Sequence, residues 1–372
     1  MYYHLILTDS CNLCCTYCRA KAFDLPEYPD SKIAIDDTPP PDLAIDHGLL
    51  YAFLRRDPDA VLTFYGGEPL LRIDLIREIM HHAPAKGFML HTNGLLLDRL
   101  ERELVNRLDA IFVSIDGPED LNDAYRGEGT FRRVIANLKK IIANGYQGEI
   151  IARMTVAEKT DIWEAVQYLS RNAEFPFTSV HWQLDANFSQ DFHQRDFASW
   201  VSASYNPGIR ALVDAWVERM RKEGVVLRWY PFIATMQDLL LGQKSLLRCG
   251  CGHANYTILT DGSIAPCPCM IGMKEYYLGH IARDDPCHLG IASVEQPCRD
   301  CSLLDFCGGR CLYANIMRPW PEEGINLVCS TVENLHGALL AALPEVRRLI
   351  GEGRISINDF EHARFNGCEV IP

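Results

Sequence analysis

Three things are scarce or missing in this chain of 372 residues, and each removes a class of function. No run of about 18 apolar residues occurs, so nothing in the sequence reads as a membrane-spanning helix. The opening stretch Met1 to Asp9 has no basic segment ahead of its short apolar run, so no export signal is recognised. Positive charge is in deficit. Lys and Arg number 36 against 49 Asp and Glu, and the net charge of −13 offers no field to a phosphate backbone. A cytoplasmic protein with neither membrane nor nucleic acid as partner is the expectation. Hydrophobic residues at 48% and charged residues at 23% exclude disorder and leave an ordinary buried core.

What the chain has in excess is cysteine, fifteen in all. Without an export signal, and at this length, disulfide stapling is not the reason. They fall at 11, 14, 15 and 18, are absent until 249, and then recur at 251, 267, 269, 287, 298, 301, 307, 311, 329 and 368. Two separate groups of metal ligands are expected.

Up to about residue 230, short apolar runs alternate with helical patterns, the signature of parallel βα units. Strands are expected at Tyr3–Leu7, Val61–Tyr65, Phe88–His91, Ala110–Ile115, Glu149–Thr155, Thr178–Gln183 and Val225–Trp229. Helices are expected at Asp42–Leu54, Arg72–His82, Asp98–Leu108, Thr130–Asn144, Asp161–Ser170 and Pro207–Lys222. The pattern fits a complete or partial (β/α) barrel, whose site lies at the C-terminal strand ends, and it fits a doubly wound open sheet as well. Asp24–Pro41, rich in Pro and Asp, reads as a surface excursion. From about 245 to 330 the sequence turns to Cys, Gly and Pro and needs inorganic cross-links to stand. Residues 331–350 read as an amphipathic closing helix.

Cys11, Cys15 and Cys18 follow the first strand with C-x3-C-x2-C spacing. Three thiolates on one loop can hold three corners of a [4Fe–4S] cube and leave the fourth iron open. Structural zinc is the competing reading, with Cys14 offered as a fourth thiolate, although adjacent cysteines point apart. Further on stand Gly66-Gly67-Glu68-Pro69, His91-Thr92-Asn93-Gly94 and Val113-Ser114-Ile115-Asp116-Gly117, each at a strand end. Taken in order, these segments resemble the radical S-adenosylmethionine (radical SAM) enzymes.

The resemblance implies that S-adenosylmethionine chelates the open iron and is cleaved reductively to a 5′-deoxyadenosyl radical, which takes hydrogen from a substrate. It implies cofactor contacts from the backbone of Gly66, Gly67 and Glu68, from Asn93, Ser114 and Asp116 to the methionine and ribose portions, and from Tyr17 near adenine. Arg126 and Arg153 are candidates for the methionine carboxylate, which a guanidinium can hold bidentately. An external electron donor of flavodoxin or ferredoxin type is implied too.

Cys298-x2-Cys301-x5-Cys307-x3-Cys311, then Cys329, forms the second ligand group. Cys249 lies upstream, and Gly262-x4-Cys267 follows an Asp261-Gly262 pair that reads as a hairpin turn. This order resembles the SPASM extension of peptide-modifying radical SAM enzymes. It implies two auxiliary [4Fe–4S] clusters, three clusters in total. One would use Cys249, Cys267 and Cys311 with Cys251 chosen as fourth ligand; the other would use Cys298, Cys301, Cys307 and Cys329. A pair of zinc ribbons remains the competing account. Cys269, Cys287 and Cys368 have no clear role, although Cys269 and Cys287 lie near enough to substitute.

The implied fold is α/β, a partial (β/α)6 TIM-like barrel with a Cys-rich C-terminal SPASM extension. Its expected divisions are a barrel over 1–230, a bridging and auxiliary-cluster region over 231–330, and a helix and tail over 331–372. The implied activity is modification of a peptide or protein by a thioether or other cross-link, or by side-chain oxidation. Sulfatase-maturing relatives carry Asp directly after the cysteine matching Cys267; Pro268 stands here, which weighs against that reaction. With the first strand so near Met1, no leader-binding domain is expected in front. Asp185, His181 and Tyr230 are candidate proton or hydrogen donors on the substrate side. A non-enzymatic zinc scaffold and an iron–sulfur electron-transfer protein are the rival classes.

Overall fold

The computed structural model describes residues 1–18, 35–367, 369 and 371–372. Cys368 and residues 24–34 of the expected surface excursion therefore lie outside the described residues. Among the described residues ten strands occur: β1 Tyr2–Ile6, β2 Val61–Tyr65, β3 Gly87–Thr92, β4 Leu108–Ser114, β5 Glu149–Val156, β6 Ser179–Leu184, β7 Arg228–Trp229, β8 Asn255–Ile258, β9 Ser263–Ala265 and β10 Gly279–His280. The chain forms two compact units. The first holds Met1–Ile115, Glu119–Ala152 and Gly250–Ser293; the second holds Asp116–Pro118, Arg153–Cys249 and Val294–Pro372.

In the first unit the strand order is β10-β9-β8-β1-β2-β3-β4, and β5 begins beside β4. β8, β1, β2, β3 and β4 run parallel, whereas β9 and β10 are antiparallel additions. Alternation along a strand separates the two faces of this sheet. Tyr3 meets Phe53 of the helix His47–Leu54 with ring centroids 5.6 Å apart, so odd positions of β1 face the helices. His4 lies opposite, level with Thr63 on β2 and Thr257 on β8. That second face is polar, and Ser114 ends β4 half-buried.

The hairpin turn at Asp261-Gly262 forms as expected: Thr257 pairs with Ala265 and Ile258 with Ile264. The described end of the Pro-rich stretch is tied down, with Asp9 N donating to Pro41 O at 2.8 Å and Asp36 N to Gly272 O at 2.7 Å.

In the second unit the order is β5-β6-β7, with β6 and β7 parallel. The helix Glu322–Gly351 packs along the helix Asn206–Glu223. Val328, Val332, Leu335, Leu339, Leu343, Val346 and Leu349 form its buried stripe at spacings of three and four. At about 1.5–3 kcal/mol for each such side chain removed from water, this contact is a main prop of the unit. By length and composition it is the one described helix apolar enough to cross a membrane, and its charged face carries Glu345 paired with Arg221 at 2.9 Å.

Several expected bounds need correction. The helix expected from Asp42 begins at His47: Asp46 caps it by accepting Gly48 N at 2.7 Å, and Leu43 N is spent on Leu7 O. Only the turn Arg102–Val105 is α-helical within 98–108, because Leu108 is claimed by pairing with Phe88. The strand expected from Val225 shrinks to Arg228–Trp229. Pro231 is accommodated at the first turn of the next helix, Tyr230–Leu241, which sequence periodicity did not mark. The closing helix starts at Glu322 rather than 331, so Cys329 lies on it.

Candidate functional site

The N-terminal cysteine loop begins where β1 ends and is held by backbone bonds from three directions. Gly67 N donates to Thr8 O and Glu68 N to Ser10 O, both at 2.8 Å, and Thr16 N donates to Tyr125 O at 2.9 Å. Gly66, at φ 143°, and Gly67 allow this close approach. A Cβ on Gly66 would lie 2.3 Å from Thr8 O, and one on Gly67 would lie 2.3 Å from Ser10 O.

Glu68 is fully buried. Its carboxylate accepts from Leu70 N at 3.0 Å, Thr92 Oγ1 at 2.8 Å and Asn93 N at 2.7 Å. Burial pushes its pKa up to about 7 against the pull of those donors. Asn93 in turn extends its amide to Asn12 Oδ1 at 2.8 Å and towards Cys11 Sγ at 3.8 Å, while Leu13 N reaches the same sulfur at 3.4 Å. Tyr17 sits with the Arg126 guanidinium 5.4 Å from its ring centroid and Tyr125 at 5.3 Å. The first unit thus gathers Cys11, Tyr17, Gly66, Gly67, Glu68, Asn93 and Arg126. Sequence reasoning missed Asn12, Thr92 and Tyr125; only their adjacency to the motif residues signalled them.

Cys15 and Cys18 share this loop, Cys18 N donating to Cys15 O at 2.9 Å. Three thiols on one loop, with two N–H donors aimed at the Cys11 sulfur, suit an iron–sulfur cluster. Among the described residues, no three His, Cys, Asp or Glu side chains close around a point as ligands of one ion.

Ser114, at the end of β4, also lies in the first unit, and the other expected cofactor and catalytic residues belong to the second. Asp116 is fully buried and accepts from Thr155 N at 2.9 Å. Arg153 donates to Gln183 Oε1 at 3.1 Å, and its buried Nε has no hydrogen-bond partner among the described residues. His181 is fully buried on β6. Asp185 pairs with Arg195 at 3.2 Å, in a group where Arg195 also holds Glu158 at 2.7 Å and Asp191 at 3.3 Å. Tyr230 begins a helix, accepting from Arg228 at 3.2 Å and meeting the His362 ring edge-on at 6.0 Å.

The later cysteines also gather. In the first unit, hydrogen bonds from the Cys251 and Cys269 thiols hold the Cys267 pKa well down. The ligand set expected for the first auxiliary cluster is divided two and two, with Cys251 and Cys267 in the first unit and Cys249 and Cys311 in the second. In the second unit, Cys298 feels the charge of Cys301, Cys307 that of Cys298 and Cys329, and Cys329 that of Cys298 and Cys301. Burial pushes the Cys307 thiol up to about 11, against the pull of the Gly309 N–H and the Arg310 charge. Cys298, Cys301, Cys307 and Cys329 would together supply the four thiols that an iron–sulfur cluster takes.

Residues 5–169 match the sequence model of the radical SAM superfamily. The mycofactocin maturase MftC of Mycobacterium tuberculosis is 30% identical over 351 residues, covering 87% of this chain and 81% of that protein. The Fe-coproporphyrin III synthase of Methanosarcina barkeri is 32% identical over 142 residues, covering 36% of this chain and 31% of that protein. Against that synthase and two AdoMet-dependent heme synthases, the chain spans only 31%, 39% and 37% of the relative's length.

Among solved structures, native anSMEcpe with bound AdoMet superposes with a TM-score of 0.68 at 20% identity, covering 97% of this chain and 100% of that one. Streptococcus suis SuiB bound to S-adenosylmethionine gives 0.53 at 18% identity, covering 85% and 74%. These two likenesses show the fold, and the MftC match shows the family. The chain belongs to the radical SAM superfamily, and its cysteine-rich C-terminal part is an extension of the SPASM type.

Proposed function

We propose that this protein modifies a peptide or protein substrate by radical chemistry, forming a thioether or other cross-link or oxidising a side chain. The observation that carries the proposal is the cysteine loop locked onto the Gly66-Gly67 turn, with Asn93 reaching Cys11. Cys11, Cys15 and Cys18 would hold a [4Fe–4S] cluster, and with S-adenosylmethionine bound that group supplies hydrogen abstraction from an unactivated carbon. The chain's own residues position and shield. Glu68 fixes the Asn93 backbone, Gly66 and Gly67 admit a ligand against bare main chain, and Tyr17 with Arg126 offers an aromatic face beside a cation. Ser114, Asp116 and Arg153 are proposed for the ribose and carboxylate portions.

A peptide substrate is supported by what relatives are named for: SuiB was crystallised with its precursor peptide SuiA, and anSMEcpe with a Cp18Cys peptide. The net charge of −13 suits a basic or neutral peptide. Cys298, Cys301, Cys307 and Cys329 are proposed to hold one auxiliary cluster. Cys251 and Cys267 are proposed as ligands of another, with Cys269 now a candidate beside them. An external flavodoxin or ferredoxin would supply electrons. Of the substrate-side candidates, Asp185 and Tyr230 are engaged by arginines and are proposed as positioning residues, and His181 is proposed as a proton carrier.

The test is anaerobic reconstitution followed by incubation with S-adenosylmethionine and a reductant, alone and with candidate peptides. Formation of 5′-deoxyadenosine with a changed peptide mass supports the proposal. Iron-loaded protein that never cleaves S-adenosylmethionine overturns it.

A further inference from the structure

The segment Gly308-Gly309-Arg310 joins Cys307 to Cys311, and all three residues hold positive φ, at 69°, 85° and 52°. The two glycines are there because of what surrounds them. A Cβ on Gly308 would lie 2.8 Å from Leu247 N, and one on Gly309 would lie 2.4 Å from Val294 Cγ1. The turn is set by this packing, and Arg310 is carried into a left-handed conformation that a non-glycine residue seldom adopts.

Arg310 lines a cavity of about 100 Å³ together with Cys298, Cys311, Arg318 and Cys329. Its Nε is buried and has no hydrogen-bond partner among the described residues. A buried donor left unpaired is costly, so its presence points to an acceptor that belongs in the cavity. Arg318, at φ 45°, brings a second guanidinium to the same wall.

We propose that Arg310 is a positioning residue for the iron–sulfur cluster of Cys298, Cys301, Cys307 and Cys329, setting its positive charge and unpaired Nε–H against the sulfur shell and thereby raising the reduction potential. This rests on the reading that those four thiols hold a cluster. Reduction adds one electron to a core already ringed by four thiolates, and a fixed cation beside it stabilises the more negative state. The strained turn keeps the guanidinium there in both redox states. Arg318 lends charge from the opposite end of the helix Leu312–Met317.

The experiment uses the full chain with Cys11, Cys15 and Cys18 all replaced by Ala, so that only auxiliary clusters load, and follows its reductive titration by electron paramagnetic resonance. Arg310→Gln should lower the midpoint of one cluster, shifting its reduced-to-oxidised ratio about tenfold, or about 59 mV for one electron. The other cluster should not move, and Arg310→Lys should stay close to the parent.

An unchanged midpoint in loaded Arg310→Gln overturns the proposal. Should Arg310→Gln fail to take up iron, Arg310→Lys decides: loading at the parent potential supports the role of charge, and failure to load overturns it in favour of a purely structural turn. If Cys301→Ala in the parent removes no iron, the ligand reading itself fails, and that outcome is seen before any arginine is touched.

Discussion

The carboxylate of Glu68 accepts the backbone N–H of Asn93 at 2.7 Å, and Asn93 reaches towards Cys11 Sγ at 3.8 Å. One buried acid therefore ties the glycine turn after β2 to the end of β3 and, through it, to the first cysteine. Its pKa near 7 makes this tie dependent on pH. A carboxyl whose folded value lies above its unfolded value near 4.5 gives stability that is complete below the lower value and is lost as pH rises through the upper one. The apo protein should lose up to about 3 kcal/mol between pH 4.5 and 7 from this group, at 1.36 kcal/mol per unit. Urea unfolding across that window should show a decline that flattens in Glu68→Gln.

Gly67→Ala introduces a methyl group where Ser10 O and Asp9 O would stand 2.3 Å and 2.5 Å away. The cysteine loop must shift. The variant should bind S-adenosylmethionine at least tenfold more weakly in equilibrium dialysis, while the far-ultraviolet circular dichroism stays that of the parent.

Cys15→Ala removes one of three thiols on the loop. Reconstituted parent should carry about twelve irons with matching sulfide, as three cubes require, and the variant about eight. Formation of 5′-deoxyadenosine, followed by chromatography, should fall to background. A colourless parent that binds zinc would instead favour the scaffold reading.

Arg195 is the hub of the ion-pair group at the end of β6. Its side chain is 11% exposed and faces Glu158, Asp185 and Asp191, with Trp320 beneath the guanidinium at 5.5 Å. Arg195→Met strands three carboxylates and should cost about 3–5 kcal/mol in denaturant unfolding. Asp185→Asn leaves Glu158 in place and should cost less than half of that. If Asp185 is only a positioning residue, this milder variant should keep most of its turnover.

Much of the fold was legible because parallel strands buried on both faces read as compact apolar runs, and the bounds of β2 fell where the sequence placed them. The radical SAM loop was legible because cysteine spacing survives any misreading of element ends. The helix Tyr230–Leu241 was hidden because nine of its twelve residues are buried, so it shows no polar face to betray a period. β8 was hidden within a Cys- and Gly-rich stretch, and its pairing with β1 leaves no mark in local sequence. Asp185 and Tyr230 looked like substrate-side groups by strand position alone; nothing local announced Arg195 and Arg228 as their partners. Cys269 had no clear role because no spacing rule asks for it, although it stands two residues from Cys267, near enough to substitute as a ligand.

The pairing of β8 with β1 has a consequence for how the protein is made. His4 Nδ1 and Asn255 Oδ1 lie 2.8 Å apart across 251 positions of chain, so β1 waits for a strand made much later to close its open edge. Until then the nascent sheet shows an unsatisfied border from which the cysteine loop projects. Iron delivered to that loop before β8 is made would meet an unfinished scaffold.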